Sequence, residues 1–430
     1  MSDVSGQMRT DWNRRAREDA HYYVAFGGRN QDEAGFLETA KDVVRVMEME
    51  LRRLPRAANR RTWRALEIGC GPGRLIKLLA HHFGEIHGVD VSDEMIGLAR
   101  ERLRGIPQAH VHATSGAGLP QFADESFDFV YSYAVFQHIP SREVVLEYMR
   151  DVARVLKVGG VFRGQFNGLP PASNPDTWAG VSFSSDDIHN FTRAAGLELL
   201  ALEGMHTQYM WTTWRRRGAA LVVESGAPAI RRITNAYGSE PVIPQRGPYA
   251  ALSLWTLNLP HECDLNTLEV RIDGASATPV YLGPAEIDGV QQINVMLPPN
   301  TRTGLVPVEL LHNGRRLCEP ATARVIPAGP LVPRIVSVTD GINVIERNRS
   351  TTGAIKLQLE EVLHPELISA TLGGKPVRDV QIALIDPVRR LFEVNCRLPE
   401  ELADGSHQLR VWVGERALPP VEVDKLLSCI

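Results

Sequence analysis

The chain has 430 residues, of which 43% are hydrophobic and 23% charged, with a net charge of −4 at pH 7. That balance is ordinary for a folded protein of about two to three domains, and it gives no global reason to expect nucleic acid or an anionic membrane as partner. No apolar run approaches the about 18 residues of a membrane span, and residues 1–7 are polar with no secretory core behind them, so a cytoplasmic protein is expected. Five cysteines (Cys70, Cys263, Cys318, Cys396, Cys429) are scattered without C-x-x-C spacing, which argues against a zinc site, a metal centre or an obligatory disulfide framework.

Two helices are expected first, over residues 12–21 and 32–54. The second carries Phe36, Leu37, Val43, Val44, Val46, Met47, Met49 and Leu51. Between them His21, Tyr22, Tyr23, Val24, Ala25 and Phe26 form an aromatic segment ending in a Gly27-Gly28 hinge. An apolar strand, Leu66-Glu67-Ile68, then runs into Gly69-Cys70-Gly71-Pro72-Gly73-Arg74. Glycine loses more backbone entropy on folding than any other residue, so three at alternate positions make sense where a ligand lies against bare backbone. A second strand, Ile86 to Asp90, ends in a carboxylate at the spacing of an acid that grips a ribose diol in a βαβ unit. The pair indicates a nucleoside cofactor. A dinucleotide is disfavoured: the third glycine of G-x-G-x-x-G falls on Arg74, and Pro72 removes an N–H that a phosphate loop needs.

Ser92 reads as an N-cap, with Asp93 and Glu94 in the first turn of a helix through Met95, Leu98, Ala99 and Leu103. Strands are expected over 110–113 and 127–132, a helix over 142–156, and a strand over 161–166 after a Gly159-Gly160 turn. A helix around 186–195 stops at Gly196, and β-like runs follow over 197–203 and 205–214. Such alternation predicts a doubly wound α/β fold, mainly parallel, with helices on both faces.

The stretch from Glu67 to Gly73 resembles the E-x-G-x-G-x-G motif of class I S-adenosylmethionine-dependent methyltransferases. Three later segments match that family in order: residues 119–128 resemble its "LPF…D-x-SFD" approach, Tyr133 to Ile139 its segment after the fourth strand, and Leu156 to Gly160 its "LKPGG" turn with Val for Pro. The resemblance covers roughly residues 64–166. It implies a Rossmann-like fold, S-adenosyl-L-methionine as cofactor and a small-molecule methyl acceptor. Glu67, Gly69, Cys70, Gly71 and Gly73 then flank the methionine end, Asp90 binds the ribose, and Val91, Met95, Ser132 and Tyr133 lie beside the cofactor. The acid that often meets the adenine is absent, which leaves Ser115 and the backbone of Gly116 and Ala117 for that contact. His138, just past the fourth strand, is the candidate base. Tyr23 and Tyr22, with Trp12, are candidates for an aromatic lid over the cationic cofactor. The Arg215-Arg216-Arg217 triplet either meets an acidic substrate or is simply solvated.

From about residue 225 the character changes to short β-branched runs punctuated by proline. Residues 292–298 are echoed by 392–399, and 304–310 by 405–411, a displacement of about 100 residues, the size of one small β-sandwich. The expected domains are therefore 1–225 (methyltransferase with helical lid), 226–329 and 330–430. The last two resemble bacterial immunoglobulin-like sandwich modules, left to bind protein or glycan or to mediate self-association. A competing reading is an inactive methyltransferase-like scaffold in which those modules carry the function.

Overall fold

The computed structural model describes residues 2–25, 31–55, 59–171, 175–218, 226–247, 249–286, 288–341, 347–386 and 390–426. The Gly27-Gly28 hinge and Cys429 lie outside them. Helices α1 (Ser2–Ala25), α2 (Glu33–Glu38) and α3 (Lys41–Glu50) come first. An alternating series follows: β1 (Arg64–Ile68), α4 (Arg74–Leu79), β2 (Glu85–Asp90), α5 (Asp93–Arg102), β3 (Ala109–Ala113) and β4 (Phe127–Ser132). It continues with α6 (Arg142–Val155), β5 (Leu156–Phe166), α7 (Ser185–Ala194), β6 (Leu197–Glu203) and β7 (Met210–Arg216). The strands lie in the order β3-β2-β1-β4-β5-β7-β6, with β7 antiparallel to both its neighbours and the other pairings parallel. The chain moves outward from β1 to β3 and then returns to the other side of β1. That reversal opens a crevice at the carboxyl ends of β1 and β4, where open α/β sheets place their ligands.

Sequence patterning explains these elements. Central strands β1 and β4 are covered on both faces, so they read as near-continuous apolar runs. Ser92, Ser141 and Ser184 each accept a backbone N–H at the start of α5, α6 and α7. On α6, Val144, Val145, Tyr148, Val152 and Val155 are all buried, the stripe that helical periodicity predicts.

Three expectations are corrected. The first helix reaches Ala25 and takes in residues 21–25 of the aromatic segment, whose Phe26 lies outside the described residues; Asp19 leaves helical geometry (φ −167°, ψ 89°) and its Oδ1 accepts from Tyr22 N at 3.0 Å, restarting the helix. The second helix is broken between α2 and α3, where the Thr39 hydroxyl donates to Phe36 O at 2.6 Å. The last strand starts at Met210 because residues 204–209 are a turn, with His206 at φ 64° and Thr207 Oγ1 donating to Gly204 O.

The remainder is β-rich. Its strands are β8 (Ala229–Asn235), β9 (Val242–Pro244), β10 (Ala251–Leu257), β11 (Leu268–Ile272), β12 (Ala275–Ala277), β13 (Pro279–Leu282), β14 (Val290–Met296), β15 (Gly304–His312), β16 (Arg315–Arg316) and β17 (Ala321–Ile326). Then come β18 (Arg334–Asp340), β19 (Arg349–Ser350), β20 (Ala354–Glu360), β21 (Ile368–Leu372), β22 (Lys375–Pro376), β23 (Arg378–Asp386), β24 (Leu391–Arg397), β25 (Gly405–Val413), β26 (Arg416–Ala417) and β27 (Val421–Lys425). The echo in sequence is an echo in topology. The order β13-β14-β10-β8 recurs as β23-β24-β20-β18, and β12-β11-β15-β17-β9 recurs as β22-β21-β25-β27-β19.

The two repeats differ in how they are attached. β13 pairs antiparallel with β6, joining the first repeat to the N-terminal sheet in one array of 11 strands. Arg53 reinforces the joint by donating to Leu282 O at 2.6 Å while its guanidinium lies over the Tyr281 ring. One apolar core runs from Phe162 and Trp214 through Leu252, Ile293, Val308 and Val325, whereas the second repeat packs around its own cluster of Ile355, Leu357, Val394, Leu409 and Val411. Cys70, Cys263, Cys318 and Cys396 are free. Among the described residues, no helix is long and apolar enough to cross a membrane.

Candidate active site

The crevice beyond β1, β2 and β4 is a pocket of about 920 Å³, counting the solvent at its mouth. Its floor is the turn after β1 and the end of β2. Met8, Trp12, Tyr23 and Val24 of α1 form its roof, and Thr114, Gly116, His138, Ile139 and Tyr148 line its sides.

Backbone geometry explains the glycines. Gly69, Gly71 and Gly73 have φ of 70°, 50° and 81°, the left-handed region that side-chain-bearing residues rarely adopt. A Cβ on Gly69 would lie 2.2 Å from a Val135 methyl, and one on Gly71 would lie 3.4 Å from Val24 in the roof. Gly73 is different. It caps α4 and faces Ala99 and Leu103, not the pocket, so its role is close helix packing, not the cofactor contact that the motif implies.

Asp90 faces the pocket from the end of β2. Its Oδ2 accepts from Gly71 N and its Oδ1 from Ser92 N, both at 2.9 Å. The carboxylate therefore fixes the turn and the start of α5 together. Burial pushes its pKa up to about 6, opposed by the N–H groups of Ser92, Gly71 and Val91.

Behind the turn, Glu67 is only 3% exposed, and its Oε2 accepts from the Tyr131 hydroxyl at 3.0 Å. Burial raises its pKa to about 8, against the pull of the Tyr131 hydrogen bond and the Arg74 charge. A folded-state value above the ordinary 4.5 means that stability contributed by this group is fully present below about 4.5 and is lost as pH rises through about 8. Glu67→Gln keeps an acceptor for Tyr131 but cannot ionise. Its thermal stability should therefore decline less than the wild type's between pH 5 and 9; parallel curves from a pH series of melting temperatures would contradict the assignment.

Arg74 also lines the pocket and is 4% exposed. Nη1 donates to Thr39 Oγ1 at 2.5 Å, the guanidinium lies over Phe36, and Nε is buried without a partner. No carboxylate comes within ion-pair distance of it among the described residues. Sequence reasoning weighed Arg74 only as the residue that spoils a dinucleotide motif. Thr114, Val135, Tyr148 and Met8 were also missed, because their place in the pocket depends on which elements pack together.

The roof is pinned by polar contacts. Asn13 Oδ1 accepts from Ser92 Oγ at 2.7 Å and from Glu94 N, Arg9 bonds Asp93 and Thr114 O, and Arg17 bonds Glu94. Arg15 donates to Thr177 and lies over Trp12 and Trp178. Tyr23 lines the pocket, whereas Tyr22 is turned into the protein, edge-on to Tyr23.

His138 is at the wall, 5.5 Å centroid to centroid from Trp12. Its ring is locked. Gln165 Oε1 accepts from Ala134 N and its amide nitrogen donates to Gln137 Oε1, so the Gln137 nitrogen donates to His138 Nε2 at 3.1 Å. Nδ1–H donates to Trp178 O at 2.8 Å. Burial lowers its pKa to about 4, so the ring is neutral at pH 7 with its one lone pair already occupied.

Other expected contacts fall elsewhere. Ser132 is fully buried and donates to Ile68 O, tying β4 to β1. Ser115 and Ala117 are exposed, and of the three expected adenine contacts only Gly116 lines the pocket. Cys70, Val91, Met95 and Tyr133 do line it, with Tyr133 stacked on Trp211. The arginine triplet meets the protein's own acids: Arg215 and Arg217 pair with Glu198, and Arg216 with Glu125. Outside the pocket, Glu48, His81 and His82 bring three potential metal-ligating atoms within 4.8 Å of one another, a grouping hidden from sequence because the glutamate comes from another helix.

Residues 66–163 match a protein family described as a methyltransferase domain. The chain is 37% identical over 97 residues to phosphoethanolamine N-methyltransferase 2 of Caenorhabditis elegans, covering 22% of each protein. It is 35% identical over 100 residues to trans-aconitate 2-methyltransferase of Rhizobium rhizogenes, covering 23% of this chain and 36% of that one. The chain thus spans well under half the length of these two relatives. Among solved structures, geranyl diphosphate C-methyltransferase from Streptomyces coelicolor is similar at 14% identity and a TM-score of 0.38, over 50% of this chain and 98% of that one. The match to a methyltransferase domain thus falls on residues 66–163, the segment that carries the glycine turn, Asp90 and His138.

Proposed function

We propose that the protein transfers a methyl group from S-adenosylmethionine to a small-molecule acceptor held under α1, with residues 1–225 as the catalytic unit and 226–329 and 330–430 as appended β domains. The observation that carries this is the meeting of Asp90 with the glycine turn on the floor of a roofed pocket. In this reading Asp90 accepts from the ribose diol, the bare turn lies along the amino-acid end, and Arg74 with Glu67 faces that end's charged groups. Trp12 and Tyr23 present aromatic surface to a cation. The named relatives act on small molecules, which supports the same acceptor class.

S-adenosylmethionine supplies a methyl group already activated on a positively charged sulfur. The chain's contribution is to hold the acceptor atom in line with it and to keep water out, effects worth several kcal/mol in total. A base role for His138 requires an acceptor hydroxyl to displace the Gln137 amide from Nε2. Titration calorimetry with S-adenosylmethionine tests the reading, with millimolar-range or tighter binding expected. Absence of heat or competition in folded protein overturns it. Conversion of bound cofactor to S-adenosylhomocysteine in the presence of candidate acceptors separates an enzyme from an inactive scaffold.

A further inference from the structure

The two β repeats have the same strand order, yet their corresponding edges are treated differently. In the first, Leu282 of β13 sits opposite Ile293 and is 3% exposed, and β6 of the N-terminal sheet pairs with that edge at Tyr281. Counting by the sequence echo, Ile293 corresponds to Val394. In the second repeat the residue opposite Val394 is Ile382 of β23, and it is 37% exposed. Its neighbours Val380 and Leu384 are 45% and 47% exposed, and β24 is the only strand paired with β23 among the described residues. The same position is covered where a strand is added and bare where none is.

Such an edge offers a row of free backbone donors and acceptors, and proteins usually blunt it with charge or proline. From Val380 to Leu384 (Val-Gln-Ile-Ala-Leu) there is neither. Register irregularities on either side, between Arg378 and Gln381 and between Leu384 and Asp386, limit a pairing to this central stretch. That stretch is self-complementary when antiparallel. With Ile382 on a two-fold axis, Val380 faces Leu384 of the partner subunit, Gln381 faces Ala383 of the partner subunit, and no like charges are opposed. At the ends, Arg378, which also bonds Glu401, approaches Asp386 of the partner subunit.

We propose that β23 is a dimerisation edge, on which a second copy of this chain adds its own β23 antiparallel, extending the sheet β18-β20-β24-β23 across a two-fold axis. The second copy takes the place that β6 occupies on β13. This assignment is independent of the methyltransferase reading.

The test is sedimentation velocity of the full chain from about 1 to 100 μM, the range in which a modest interface is half-associated. A concentration-dependent dimer is expected. Ile382→Lys places two ammonium groups face to face on the axis and should return the chain to monomer, with unchanged circular dichroism and unchanged S-adenosylhomocysteine binding. Ile382→Cys should form an intermolecular disulfide under mild oxidation, since residues facing each other across an antiparallel pair have Cα atoms about 4.5–5.5 Å apart. Val336→Cys, exposed on the opposite edge strand β18, is the control and should not. A chain monomeric throughout, a dimer that survives Ile382→Lys, or cross-linking no greater at 382 than at 336 overturns the proposal.

Discussion

Replacing Asp90 with alanine is expected to weaken S-adenosylhomocysteine binding by about ten- to a hundredfold, the cost of losing a charged hydrogen-bond acceptor. The same change orphans Gly71 N and Ser92 N, so a fall in melting temperature should accompany it. Asp90→Asn separates the two effects, since it keeps one oxygen for the backbone while losing the charge. Calorimetry on both variants, with thermal denaturation alongside, distinguishes a ribose ligand from a fastener of the turn. If Asp90→Ala lowers stability and leaves affinity untouched, the carboxylate serves only the turn.

The acidity of Asp90 adds a pH signature. Its folded-state pKa is raised from 3.8 to about 6, chiefly by burial. Its contribution to the stability of the free protein is therefore fully present below about 3.8 and lost as pH rises through about 6. Binding has the opposite slope, because only the ionised carboxylate accepts two hydroxyl hydrogen bonds. Affinity should decline as pH drops below about 6 in the wild type and stay flat in Asp90→Asn.

The α/β half was legible because its signals are local. The Gly69-to-Gly73 turn, the acid at 90 and the Ser92 cap are each written within a few residues. What escaped the sequence was decided by tertiary partners. Ser132 ends strand β4 just as a cofactor contact would, but its hydroxyl is captured by Ile68 O. His138 sits where a base would, and only the Gln165–Gln137 chain, with residues 28 apart, shows its lone pair to be taken. In the β half the echo at about 100 residues revealed the duplication. The sharing of one sheet between β6 and β13 rests on a pairing of Tyr281 with Ala201 that no local pattern encodes.

Arg74 gives the sharpest contrast between packing and function. A buried guanidinium bonded, among the described residues, only to a threonine hydroxyl, with a buried Nε that none of them pairs and a largely neutral Glu67 nearby, is costly in the free protein. An anion in the pocket would offset that cost, and in the reading above it is the carboxylate at the amino-acid end of the cofactor. Arg74→Met keeps the apolar stem over Phe36 and removes the charge. It should weaken S-adenosylhomocysteine by about ten- to a hundredfold and leave 5′-methylthioadenosine, which lacks the amino-acid portion, within about threefold. The free variant should be no less stable than the wild type, because the unpaired charge goes with the side chain. Equal losses for both ligands would assign Arg74 to packing against Thr39 and Phe36. An undiminished affinity for S-adenosylhomocysteine would mean that the carboxylate lies elsewhere, while continued binding of 5′-methylthioadenosine would still hold the nucleoside at Asp90.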